Sequence, residues 1–204
     1  MRIAVTGANG FIGRHLVAKL LKLGHTIHPI GRDYKQVECD RVYHLACPAT
    51  TAYINENPID VMNVILDGTR RAIEICPSAL FVNASSMGAE FLDDSPQGAY
   101  NIAKRCMESY IAHSGIKYQN YRIPSVYGTD MDPDGFVRRC VEGRAYRPAE
   151  PDRLHYIVHV DDLVDAMVAL EPITMEQLRL EDIYELFNSG RRGLHRPTSN
   201  PSSI

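Results

Sequence analysis

The chain has 204 residues, 45% hydrophobic and 23% charged, with a formal net charge of -3. That length accommodates one sizeable core, or one domain with a small lobe, and the charge supplies no basic field for a nucleic-acid backbone. The apolar runs are far too short to span a membrane and no signal peptide precedes the first strand. The five cysteines are odd in number, contain no C-x-x-C and read as reduced thiols, so a cytoplasmic protein with neither nucleic acid nor membrane as partner is expected. The eight histidines show no metal-ligand spacing, and no metal site is expected.

Taken in chain order, residues 2–16 read RIAVTGANGFIGRHL. The apolar run Ile3-Ala4-Val5 ends at Thr6, glycines follow at Gly7, Gly10 and Gly13, and an amphipathic stretch runs from Phe11 to Leu23. The pattern predicts strand, tight glycine turn and helix. Gly7 permits the turn, Gly10 lets a pyrophosphate reach the backbone, and Gly13 lets the helix lie close on the sheet. The N–H groups at the start of that helix would face the phosphates.

His25–Ile30 predicts a second strand, whose end meets the adenosine ribose in a dinucleotide fold. Gly31, Arg32 and Asp33 follow. An arginine can hold a 2′-phosphate, whereas an acid would hold the 2′-hydroxyl of NAD. Gly31 where the acid would stand, with Arg32 beside it, favours NADP, while Asp33 keeps NAD open. Tyr34–Asp40 is then too short for the helix and strand of a parallel crossover before a third strand at Arg41–Ala46. The unit outside the second strand is therefore expected to be missing, with His25–Ile30 left at the sheet edge.

Helical periodicity runs from Pro58 to Cys76, and residues 79–84 (ALFVNA) read as a buried strand. Ser85 and Ser86 stand at its C-terminal end, where parallel sheets place ligands. A helix is predicted over Ala99–His113 and a strand over Lys117–Ile123. Beyond Pro124 the pattern weakens: loop over 125–135, helix Phe136–Glu142, strand Tyr156–Val160, helix Asp162–Leu170 and strand Ile183–Asn188. From Gly190 the chain reads as an extended or mobile tail, with Arg191, Arg192 and Arg196 as solvated cations. Alternating strands and helices predict an α/β, Rossmann-type doubly wound parallel sheet, shortened. Its dinucleotide-binding core would be 1–124, with a small lobe over 125–190 interleaved with that core and a tail over 191–204.

Tyr100 and Lys104 are four apart on one helix and share a face. An ammonium favours the phenolate, which would suit Tyr100 to acid–base work at neutral pH. Ser86 can hydrogen-bond the same substrate oxygen.

GANGFIG, HLACPA, the strand ending in ASS, AYNIAK, RIPSVYG and HVDDLV occur in the order of extended short-chain dehydrogenases/reductases, and over residues 1 to about 190 the chain resembles that family. It includes nucleotide-sugar epimerases, dehydratases and decarboxylases, and residues 44–69 look most like UDP-glucuronate decarboxylases. The resemblance implies Ser86, Tyr100 and Lys104 as the catalytic triad, with Lys104 also on the nicotinamide ribose. It implies Gly7, Asn9, Gly10, Phe11, Ile12 and Gly13 at the pyrophosphate, Leu45, Ala46 and Cys47 along the cofactor, and Pro124 near the nicotinamide. On the substrate side it implies Thr50, Asn63, Ser125, Arg153 and His155, and it implies a homodimer through the helices beginning at Pro58 and Ala99.

Three departures bear on the reaction. Gly88 stands where decarboxylases and dehydratases carry a glutamate, Ser125 where many relatives have an asparagine, and His155 where many have an arginine. The expectation is a nucleotide-sugar oxidoreductase, moving hydride at a sugar carbon by epimerisation or 4-keto reduction. A UDP-glucuronate decarboxylase-like enzyme and a non-catalytic NAD(P)-binding sensor or partner subunit are the alternatives.

Overall fold

A computed structural model describes all residues except Ala49, Leu92, Asp94, Asp134 and 196–204, and the backbone alone of Pro96. Arg196 thus lies outside the described residues. The chain divides into two compact units, Met1–Ile123 and Pro124–Ile204.

The first unit runs β1 (Arg2–Thr6), α1 (Phe11–Lys22), β2 (Thr26–Ile30), β3 (Arg41–His44), α2 (Thr51–Glu56), α3 (Pro58–Ile73), β4 (Leu80–Ser86), α4 (Pro96–His113) and β5 (Tyr118–Ile123). The five strands form one parallel sheet in the order β2-β1-β3-β4-β5. The central strands are nearly continuous in buried residues, as strands covered on both faces must be. From β1 the sheet grows first toward β2 and then back through β3, so the ends of β1 and β3 flank the switch-point crevice where such sheets take ligands. Helices α3 and α4 cover one face: Val61, Ile65 and Ala72 meet Ala103, Met107 and Ile111 above Ala4, Val42 and Phe81.

β2 is the edge strand, as expected. It carries Pro29, which has no N–H to donate and is tolerated where nothing pairs outside. No helix intervenes before β3. The short connection is instead tied to α3 and the residues after it. Val37 N–H donates to Ile75 O at 3.2 Å, Gln36 Nε2 to Glu74 O at 3.0 Å, and the Arg71 guanidinium lies 4.6 Å from the Tyr34 ring centre.

Two boundaries in this unit differ from expectation by three residues. α4 begins three residues early because Ser95 caps it, accepting from Gly98 N at 3.0 Å, with Pro96 in the first turn. The helix expected over 58–76 ends at Ile73, and a separate short helix, α2, precedes it, broken from it at Asn57-Pro58.

The second unit runs β6 (Ser125–Tyr127), α5 (Phe136–Val141), β7 (Leu154–His159), α6 (Val160–Ala169), β8 (Glu176–Arg179) and α7 (Leu180–Asn188). β6 pairs parallel with β7, and β7 antiparallel with β8. Here the sequence reading needs three corrections. Residues 125–127, expected as loop, form β6, and β8 was not expected. Residues 183–188, expected as a strand, belong to helix α7. Leu180, Ile183, Tyr184 and Phe187 recur at helical spacing, and Glu181 and Asp182 stand in the first turn, where the helix dipole favours acids. Nor is the start of the expected tail solvated. Arg192 Nη1 donates to both carboxylate oxygens of Glu176, at 2.7 and 2.8 Å, and Leu194 is buried with Tyr127, Cys140, Ile157 and Phe187. No helix among the described residues is long and apolar enough to cross a membrane.

Candidate active site

The glycine turn between β1 and α1 separates its three glycines physically. Gly7 has φ +68°, and a Cβ there would lie 2.7 Å from Ala46 N and 2.8 Å from Leu45 C. A Cβ on Gly13 would lie 2.1 Å from Gly7 O. Both glycines are required by the chain's own packing. Gly10 is different: a Cβ there would meet only Gly7 O, at 3.3 Å. Its open side faces away from the protein, and α1 starts there with no side-chain cap. A helix start with uncapped N–H groups and a bare backbone beside it fits a dinucleotide pyrophosphate. Asn9, Phe11 and Ile12 flank this opening.

The neighbouring strand end is held by a buried chain of hydrogen bonds. Thr69 Oγ1 donates to Ile65 O at 2.8 Å, so it accepts from His44 Nε2 at 3.3 Å. His44 Nδ1 is then the acceptor for Thr6 Oγ1, at 2.8 Å. The same Thr6 oxygen accepts from Leu45 N and Ala46 N, both at 3.2 Å. One neutral imidazole tautomer thus joins β1, β3 and α3 directly under the Gly7 turn. Burial, with Lys104 adding to it, pulls the His44 pKa down to about 3. Thr6, His44 and Thr69 were not singled out in the sequence; the one signal was polar residues in otherwise apolar segments.

The ends of β4 and α4 bring Ser86, Tyr100 and Lys104 together. Ser86 acts on the Tyr100 hydroxyl in the direction that favours its ionised form. Lys104 is buried, its Nζ donates to Ala84 O at 2.8 Å, and it lies 5.7 Å from the Tyr100 ring centre. Cys47 Sγ donates to Pro48 O at 3.2 Å and interacts with both Tyr100 and Lys104. The electrostatics correct one expectation. Burial pushes the Tyr100 phenol above its ordinary value, and the opposing pull of Lys104 is smaller. Burial also works against the Lys104 charge, but Tyr100, Cys47 and Glu108 hold its pKa above the ordinary lysine value. At rest the pair is a neutral phenol beside an ammonium.

Beside Ser86 the chain leaves no space for a longer side chain. A Cβ on Gly88 would lie 2.2 Å from Asn101 Oδ1. Asn101 is buried, and its Nδ2 donates to Phe91 O at 2.9 Å. Asn101 thus fills the volume a residue at 88 would need.

The remaining candidates scatter. Arg32 and Asp33 stand at the end of β2, where Arg71 Nη2 donates to Asp33 O at 3.0 Å. Thr50 is exposed at the start of α2. Asn63 is exposed and lines a groove between α3 and α4 with Leu66, Met107 and Tyr110. Pro124 opens the second unit. Within that unit Ser125 Oγ and His155 Nε2 lie 2.7 Å apart, and Arg153 Nη1 reaches Glu150 at 3.1 Å. Arg153 and His155 line a cavity of about 460 Å³ with Phe136, Pro148 and Leu180. Burial, with Arg153 adding to it, lowers the His155 pKa.

Known proteins resemble the chain in both sequence and fold. The sequence profile described as "NAD dependent epimerase/dehydratase family" matches residues 3–173. UDP-glucuronic acid decarboxylase 3 of Arabidopsis thaliana is 24% identical, over 83% of this chain and 66% of its own length. The chain therefore spans just under two thirds of that relative. Among solved structures, the UDP-glucose 4-epimerase of Thermus thermophilus, in complex with NAD, superposes with a TM-score of 0.75 at 22% identity, covering 93% of this chain and 83% of that one. RMD from Pseudomonas aeruginosa, complexed with NADPH, gives 0.70 at 19% identity, covering 91% and 80%. At these identities the superpositions establish the fold.

Proposed function

The chain belongs to the NAD-dependent epimerase/dehydratase family, and from that premise we propose that it moves hydride at a carbon of a nucleotide sugar, by epimerisation or 4-keto reduction. The observation that carries this reading is the grouping of Ser86, Tyr100 and Lys104 at the β4 and α4 ends. A bound nicotinamide supplies the hydride acceptor or donor, and in its oxidised form a further positive charge.

In the reducing direction Tyr100, neutral at rest, donates its proton to the developing alkoxide of the sugar, while Ser86 donates a hydrogen bond to the same oxygen. Lys104 stabilises the phenolate left behind. In the oxidising direction the proton returns to Tyr100, and the same ammonium lowers the cost of holding the phenolate ready. Gly7, Gly10 and Gly13, with Asn9, Phe11 and Ile12, would hold the pyrophosphate; Leu45, Ala46 and Cys47 would flank the cofactor, Lys104 would hold its ribose and Pro124 its nicotinamide. Arg32 would favour NADP over NAD. Thr50, Asn63, Ser125, Arg153 and His155 would bind the substrate, and the exposed Leu66 and Tyr110 on α3 and α4 would meet a second copy in a homodimer.

A UDP-glucuronic acid decarboxylase-like reaction is the second reading, favoured by relatives of that name. Loss of CO₂ after oxidation at C4 needs no acid until the enolate is reprotonated. Dehydration ranks last, because it needs an acid for the C6 hydroxyl and a base for the C5 proton. Gly88 offers neither, and Asn101 fills that space with an amide.

The test sizes the purified protein by gel filtration and incubates it with UDP-glucose, UDP-glucuronate, dTDP-glucose or a 4-keto sugar nucleotide, each with NAD(H) or NADP(H). The proposal expects a 4-epimer or a 4-hydroxy product, with NADP(H) the tighter cofactor. A 4-keto-6-deoxy product, or a UDP-pentose from UDP-glucuronate, would reassign the reaction. A single-chain mass would remove the dimer, and tighter NAD(H) binding the NADP assignment.

A further inference from the structure

Three successive residues of β4 are gripped by three successive turns of α4. Ser86 acts electrostatically on Tyr100, Ala84 O accepts from Lys104 Nζ at 2.8 Å, and Ser85 Oγ donates to Glu108 Oε1 at 2.5 Å. Tyr100, Lys104 and Glu108 lie four residues apart in turn, on one ridge of the helix. The third grip touches no reacting group; Glu108 bears on the chemistry above only by helping to hold the Lys104 charge.

Glu108 is only 8% exposed. A buried carboxylate is costly unless every oxygen is paired. Arg122 of β5 supplies the pairing as a fork, with Nε 3.0 Å from Oε1 and Nη2 2.8 Å from Oε2. Arg105 stands further off, at 3.6 Å. The third nitrogen of Arg122, Nη1, reaches Glu90 Oε1 at 2.5 Å. Glu90 ends the 3₁₀ turn Met87–Glu90, and the Gly88 amide in that turn donates to Ser86 Oγ at 3.1 Å. The network thus returns to Ser86 from both sides: through Ser85 in the strand before it, and through Arg122 and Glu90 on the turn after it.

We propose that the chain Ser85–Glu108–Arg122–Glu90 is a register lock that sets the height of Ser86 against Tyr100, with Glu108 as its positioning residue. Glu108 touches none of the reacting groups. A neutral amide in its place still accepts from Ser85 but cannot hold Arg122 by a charged fork. The turn after Ser86 then loses its anchor, and Ser86 Oγ loses the Gly88 amide.

The proposal rests on Ser86 being the hydroxyl of the site, and the experiment separates the two claims. Amide hydrogen exchange is followed by NMR on the ¹⁵N-labelled full chain, as wild type, Glu108→Gln and Ser86→Ala. Ser86→Ala sets the exchange rate of a Gly88 amide with no acceptor. Glu108→Gln is expected to move Gly88 at least tenfold toward that rate, while Val5 in β1 and Tyr43 in β3 keep wild-type rates. A Gly88 amide exchanging as in wild type would overturn the lock, and so would equal acceleration at Val5 and Tyr43, which marks general loosening. If Glu108→Gln does not fold, Ser85→Ala is read by the same criteria. In turnover, the lock expects Glu108→Gln to lower kcat with KM unchanged. Ser86→Ala and Tyr100→Phe that both keep full turnover would overturn the catalytic reading and leave the exchange result standing.

Discussion

Gly7, Gly10 and Gly13 are interchangeable letters in a turn motif, yet their surroundings assign them different work. Gly13→Ala would put a methyl 2.1 Å from Gly7 O and 2.9 Å from the Ala8 backbone. That overpacking should cost about 3 kcal/mol and lower the unfolding midpoint in urea. Gly10→Ala meets only one backbone oxygen, at 3.3 Å, and should leave stability close to wild type. It should nevertheless weaken NADH or NADPH binding about tenfold in a fluorescence titration, because the methyl stands where the pyrophosphate approaches. Wild-type affinity in Gly10→Ala would contradict the placement of the phosphates. Spacing alone exposed the motif; which glycines the fold itself needs became visible only with the neighbouring backbone of Ala8, Leu45 and Ala46. The same holds for Tyr100. Its lysine partner is legible four residues on, but the desolvation that outweighs it comes from packing against the core of the first unit, which is built from residues distant in sequence.

At the scale of elements, His44 fastens β1, β3 and α3, and does so only while neutral. Its folded pKa of about 3 is depressed below the ordinary histidine value, so the unfolded chain binds the extra proton. The stability it contributes is therefore complete above about pH 6.5 and is lost as pH falls toward 3, by roughly 4 kcal/mol over that window. Urea unfolding at pH 7 and at pH 4.5 should show this decline, and His44→Leu should be less stable at pH 7 but flatter with pH. An equal slope in His44→Leu would show that other groups carry it. Elements with strong periodicity or a glycine signature were readable: β1, α1, α3 and α4 all lie within a few residues of expectation. The misses share a cause. β6 and β8 are three and four residues long and too short for alternation to register, and the end of α7 reads as a strand because Ile183–Asn188 is a short run rich in β-branched and aromatic residues, Ile183, Tyr184 and Phe187. Only the wider window from Leu180 reveals the helical period.

For the whole molecule, the missing unit after β2 was legible because seven residues cannot hold a helix and a strand, and the sheet indeed ends at β2. How the shortened connection is secured, by Tyr34 against Arg71 and by Val37 on Ile75, depends on contacts distant in sequence and could not be read in advance. A shortened member of a family can keep its cofactor turn and lose its chemistry, so the central claim is that hydride still crosses between sugar and nicotinamide beside Tyr100. The direct measurement incubates a UDP-4-keto sugar with the protein and NADH or NADPH carrying two deuterons at C4 of the nicotinamide, and analyses the sugar nucleotide by mass spectrometry. Wild-type protein should place one deuterium on C4 of the sugar, and Tyr100→Phe none. A reduced sugar free of deuterium, or transfer undiminished in Tyr100→Phe, would contradict the claim.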